Sequence, residues 1–167
     1  MALTLLRHTT PAVEKGTCYG MTDLDLAEGF VAEAAAVEHL AASARVIVTS
    51  PLGRCRRLAQ HLAALSGAVL HVDQTWREMD FGRWEGTRWD AIPRDELDGW
   101  AEDFHLYRDH GGESVAQLEA RVRKGLATAP EGALIVTHMG CIKAALAIRG
   151  QGQGWDSQLP FGGWVSL

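Results

Sequence analysis

Three short apolar runs, each broken off by polar residues, constrain this chain more than any other feature. Leu3 to Leu6 ends in Arg7-His8, Val46 to Val48 ends in Thr49-Ser50-Pro51, and Leu134 to Val136 ends in Thr137-His138. Their aliphatic and β-branched side chains fall on both faces, as in central strands of a sheet covered on both sides. Val69 to Val72 reads as a weaker fourth strand, and the tail from Phe161 to Leu167 supplies a fifth. Helical patterns lie between. Leu26 to Leu40 is alanine-rich, with Val31, Ala34, Ala35 and Leu40 near one face. Gly53 to Leu65 carries the stripe Cys55, Leu58, Leu62 and Leu65, and Gly140 to Arg149 follows the last apolar run directly. Ser114 to Gln117 has the spacing of a capping box and opens a further helix with Val115, Leu118, Val122 and Leu126 on one side. Strands alternating with helices predict an α/β fold, a three-layer αβα sandwich with a mostly parallel central sheet. No repeat or linker-like stretch divides the 167 residues, so a single domain over 1–167 is expected.

Composition narrows the function. Hydrophobic residues make up 47% and charged residues 22%, values of a globular chain and not of a disordered one. The net charge of -5 argues against nucleic acid as a partner, and no apolar run approaches the ~18 residues of a membrane span. The cysteines Cys18, Cys55 and Cys141 are odd in number and widely spaced, and no leader pattern precedes the first strand. Both features predict a cytoplasmic protein.

In α/β sheets, ligands gather at the carboxyl ends of the strands. The first end offers Arg7 and His8, the second leads to Arg54, and the third offers His138. Arg54 lies about 60° around its helix from the centre of the apolar stripe, whereas Arg56 and Arg57 lie well beyond it. Arg54 also sits in the first helical turn, where free N–H groups favour an anion. Two imidazoles and two guanidiniums at one sheet edge suit a phosphoryl group. Its oxygens need fixed positive charge, and a histidine is a competent acceptor. An acid must then protonate the leaving oxygen and later activate water. Glu78, Asp80 and Glu85 are the candidates.

Five segments, RHTTP at 7–11, SPLGRCRRLA at 50–59, EMDFGRWEG at 78–86, GGES at 111–114 and VTHMG at 136–140, occur in the order found in the histidine phosphatase superfamily, which the chain resembles along nearly its whole length. That family includes the phosphoglycerate mutases. The resemblance implies a phosphoglycerate mutase-like fold, His8 as phosphate acceptor, and Arg7, Arg54 and His138 as a charged clamp. It also implies Glu78 as proton donor, Ser114 near the phosphate, and neither metal nor cofactor. The chain is most similar to the alpha-ribazole phosphatases of cobalamin assembly, through Pro11-Ala12-Val13, Gly16 to Gly20, Thr22 to Leu26 and Trp89 to Pro93. That likeness implies a small phosphate ester as partner, alpha-ribazole 5′-phosphate or adenosylcobalamin 5′-phosphate. Met139 departs from the small residue usual between the histidine and glycine. The lack of a large insertion after EMDFGRWEG favours hydrolysis over phosphoryl transfer.

Other readings stay open. A broad-specificity sugar-phosphate or nucleotide phosphatase fits the same residues, as does a phospholigand-binding module without turnover. Asp23 and Asp25 offer a metal-dependent alternative. Tyr19, Trp84, Trp89 and Trp100 are candidates for stacking on a substrate ring, although tryptophan is more often core. Cys55 reads as an inert core thiol, and His105 and His110 as residues bordering the pocket. No GxxxxGK[ST], GxSxG or HExxH occurs, and no cysteine is followed six positions later by arginine. Oligomeric state is not legible.

Overall fold

The structure is a computed structural model and describes residues 2–167. Strands β1 (Thr4–Arg7), β2 (Val46–Thr49), β3 (Val69–Val72), β4 (Leu134–Thr137) and β5 (Trp164–Ser166) form one sheet in the order β3-β2-β4-β1-β5. The first four are parallel, and β5 runs antiparallel beside β1. The expected α/β architecture with a mostly parallel sheet is present.

Alternation along the strands builds two cores. Leu5, Val48 and Ile135 point to one face, where helices α4 (Val115–Thr128) and α5 (Met139–Arg149) pack with Val115, Leu118, Val122 and Ile142. Leu6, Ile47, Leu134 and Val136 point to the other, against helices α1 (Phe30–Val37) and α2 (Gly53–Ser66). Edge strand β3 is largely exposed, which explains its weaker apolar pattern.

Several details differ from the sequence expectation. Helix α1 begins at Phe30, not Leu26, because residues 25–27 run beside residues 10–12 and bond to them through Ala12 N to Asp25 O and Ala27 N to Thr10 O. Its phase is set by Ala34 and Val37, leaving Val31 79% exposed. Leu65, at the last turn of α2, is 58% exposed, so the buried stripe ends at Leu62. Helix α3 (Arg94–Glu102) was not expected, since it is polar nearly all round. Leu97 and Trp100 dock it against a third core of Cys18, Trp84, Ile92 and Tyr107, and Glu96 accepts from Trp84 Nε1 at 2.6 Å and pairs with Arg83.

Ser114 caps α4: its Oγ accepts from Gln117 N at 3.2 Å while the Gln117 side chain accepts from Ser114 N at 2.9 Å. Removing such a cap costs about 1 kcal/mol. Urea unfolding of Ser114→Ala is expected to show a lower midpoint by that amount, with an unchanged slope.

Candidate active site

Parallel pairing of β1 on β4 sets Arg7 opposite Thr137, and His8 N continues the ladder to Thr137 O at 3.0 Å. His8 and His138 therefore leave adjacent strands side by side. Their ring centroids are 5.1 Å apart, edge to face. Ser50, at the end of β2, is 2.8 Å from His138 Nε2 through its hydroxyl. The expected convergence of three strand ends is thus realised in space.

His8 Nδ1 lies 2.7 Å from the carbonyl oxygen of Thr9. A carbonyl only accepts, so Nδ1 carries the proton and Nε2 keeps its lone pair. Burial, then the positive charges of Arg54 and Arg7, lower the His8 pKa to about 3. Burial also holds His138 well below the usual imidazole range, with His8 and the nearby guanidiniums adding to it. Both rings are neutral at physiological pH.

Arg54 is fully buried. Its Nη1 donates to Thr22 O at 2.6 Å and its Nη2 to Gly20 O at 2.5 Å. The loop offering those carbonyls is held by Glu85, which accepts from Gly20 N, Met21 N and the Thr22 hydroxyl. Gly20 is required there, since a Cβ would collide with Met79 O. Arg7 donates to Leu159 O at 2.5 Å and lies 4.0 Å from the centroid of the Phe161 ring. Arg7 Nε and Arg54 Nε are buried and have no partner among the described residues. Buried donors of this kind are uncommon unless they serve a ligand or water.

Of the three candidate acids, only Glu78 reaches the cavity beside His8. Its carboxylate accepts from Met79 N at 2.9 Å and Gly140 N at 3.0 Å, the latter in the first turn of α5. A Cβ on residue 140 would overlap Glu78 Oε1, so the VTHMG glycine makes room for the acid. Asp80 instead accepts from Gly82 N, and Glu85 is the loop brace described above. Asp23, from the metal alternative, accepts from Gly53 N at the start of α2, and exposed Asp25 lies 4.0 Å from Arg57.

The chain matches the histidine phosphatase superfamily (branch 1) over residues 3–159. It belongs to that superfamily. A Hydrogenobacter thermophilus protein assigned as a phosphoserine phosphatase is 32% identical over 156 residues, spanning 87% of this chain and 77% of its own. Salmonella proteins assigned as phosphoglycerate mutases are 32% identical over 112 residues, 60% of this chain and 52% of theirs, so the chain matches about half their length. The solved structure of a mycobacterial glucosyl-3-phosphoglycerate phosphatase superposes with a TM-score of 0.81 at 26% identity, covering 99% of this chain and 89% of that one.

A cavity of about 340 Å³ opens against Arg7, His8 and Glu78. Arg54 and His138 do not line it; they are buried behind the His8 ring. Tyr19 and Met139 are on its wall, whereas Ser114 is not, its hydroxyl being engaged in the α4 cap. Phe81, Trp89, Trp100, Phe104 and Trp155 make much of its lining aromatic. Trp84 is buried in the third core, stacked on Tyr107, and His110 packs against both. Cys55 is fully buried with its Sγ 3.4 Å from His138 Nε2.

Sequence reasoning missed the braces. Arg121 makes a bidentate pair with Glu113 at 2.7 and 2.8 Å and donates to Thr75 O and Arg77 O, fixing the 3-10 turn Gln74–Trp76 and the residue after it, which lead to Glu78. The two residues are eight apart with no periodic signal joining them. Phe161 and Leu159 come from the tail and carried no motif.

Because the folded pKa of His8 lies below that of a free imidazole, the unfolded chain takes the proton first as pH falls. The stability His8 contributes is complete above about pH 6.5 and drains away toward pH 3. An NMR titration is expected to find the His8 ring neutral at pH 5, and His8→Asn to flatten the acid limb of stability against pH. A His8 midpoint near 6.5 would contradict this electrostatic account.

Proposed function

We propose that this protein is a phosphomonoesterase working through a phosphohistidine, without a metal. The observation that carries the reading is the free Nε2 lone pair of His8, facing a cavity shared with Arg7 and the Glu78 carboxyl group. The ester phosphate rests against Arg7, while Arg54 and His138 act from behind the acceptor ring, Arg54 through its charge. His8 Nε2 attacks phosphorus as the P–O ester bond breaks, and the departing oxygen takes the proton of Glu78. The resulting Glu78 carboxylate then removes a proton from water. That water attacks phosphorus, the P–N bond breaks, and inorganic phosphate leaves with His8 restored.

For the substrate we propose alpha-ribazole 5′-phosphate or adenosylcobalamin 5′-phosphate. The aromatic lining of the cavity supports a leaving group with a flat ring, since such rings favour stacked or edge contacts. A second reading, a phosphatase of broader sugar-phosphate or hydroxy-acid phosphate range, draws support from the relatives, which are named for phosphoserine and glucosyl-3-phosphoglycerate. A non-catalytic phospholigand module is disfavoured by a neutral, correctly tautomeric His8 beside an available acid.

Acid-quench labelling is expected to trap an acid-labile phosphoryl group on His8. His8→Ala should abolish turnover of a chromogenic phosphate ester, and Glu78→Gln should lower kcat by roughly 100-fold or more. Full turnover by His8→Ala would overturn the mechanism, and loss of activity with a chelator would overturn its metal independence. Turnover of alpha-ribazole 5′-phosphate no better than that of phosphoglycerate would favour the broader reading.

A further inference from the structure

The chain has three lysines, and two of them, Lys15 and Lys124, are exposed at the surface. The third, Lys143, is partly buried and lines the cavity that holds His8 and Glu78. Nothing among the described residues pairs with it: no carboxylate, carbonyl or aromatic face engages its ammonium. The same cavity is lined by Phe104, Leu118 and Trp155, whose side chains offer no oxygen acceptor. With no protein partner, its ammonium is free to donate to an oxygen of a molecule bound in the cavity.

Its position selects which part of a substrate it meets. Gly140, whose N–H holds Glu78, lies three residues earlier on α5. Three residues put Lys143 on the same face, about 4.5 Å further along the axis. The transferred phosphoryl sits at His8 and the leaving oxygen at Glu78, so Lys143 lies one step further into the leaving group.

We propose that Lys143 determines specificity, by donating to an oxygen of the leaving group beyond the scissile ester. Together with the aromatic lining of the cavity it selects leaving groups that carry both a ring or apolar body and an oxygen acceptor, either a carboxylate or a sugar hydroxyl. The inference rests on the phosphatase reading of the same cavity.

The test compares kcat/KM for three esters: phenyl phosphate, with no further oxygen; a nucleoside 5′-phosphate, with ribose hydroxyls; and 3-phosphoglycerate, with a carboxylate. In Lys143→Met, at least one oxygen-bearing ester is expected to lose roughly tenfold or more relative to phenyl phosphate. The ester that loses identifies hydroxyl or carboxylate as the acceptor. Lys143→Arg is expected to retain most of the selectivity, with the change appearing in KM more than in kcat. Ratios held within about twofold, equal loss on all three esters, or a wild-type preference for phenyl phosphate over both others would overturn the proposal. Failure of the wild type to turn over any ester, with no label on His8, would instead overturn the phosphatase reading beneath it.

Discussion

The parallel register of β1 on β4 is the constraint on which the site depends. With Arg7 opposite Thr137, the next residue on each strand is a histidine. A slip of one residue would turn Leu5 and Leu6 to the wrong cores and separate the imidazoles at the same time. The core and the chemistry are therefore tied to one set of backbone hydrogen bonds. Leu6 and Val136 on one face, and Leu5 and Ile135 on the other, enforce that register through burial, which neither histidine could enforce alone.

Holding charge in such a core requires partners for it. Arg54 is satisfied by two carbonyls of the loop 20–22, and the loop is itself held by Glu85. Arg121 is satisfied by Glu113 and by carbonyls of the segment leading to Glu78. In both networks a buried guanidinium has a bidentate or multiple set of acceptors, which offsets its desolvation. Arg7 Nε and Arg54 Nε near His8 are buried without a partner, as are Tyr107 Oη and His110 Nε2 in and around the third core. Of these two guanidiniums, that of Arg7 lines the cavity where a phosphate ester would bring oxygens.

Much of this was readable before the fold was known. Strand ends bearing Arg7, His8 and His138 stand out because apolar runs stop there abruptly, and Arg54 stands out because helical geometry separates it from Arg56 and Arg57. The roles of Glu85, Glu113 and Arg121 were not readable. A carboxylate that braces a loop 65 residues away has the same local sequence character as a solvated one. The aromatic wall was half legible: Trp89 and Trp100 reach the cavity as entertained, whereas Trp84 is absorbed into a small core beneath α3. The polar helix α3 gave little apolar signal because it docks through two apolar side chains, Leu97 and Trp100, and a carboxylate, Glu96.

The sequence alone determined the layered α/β fold and the chemistry gathered at one sheet edge, because hydrophobic alternation and strand-end residues are local properties of the chain. Tertiary structure decided which acid faces His8, which imidazole nitrogen holds the proton, and which cations are spent on structure. Those outcomes depend on contacts between segments far apart in sequence, where a distance of one ångström separates a brace from a reacting group.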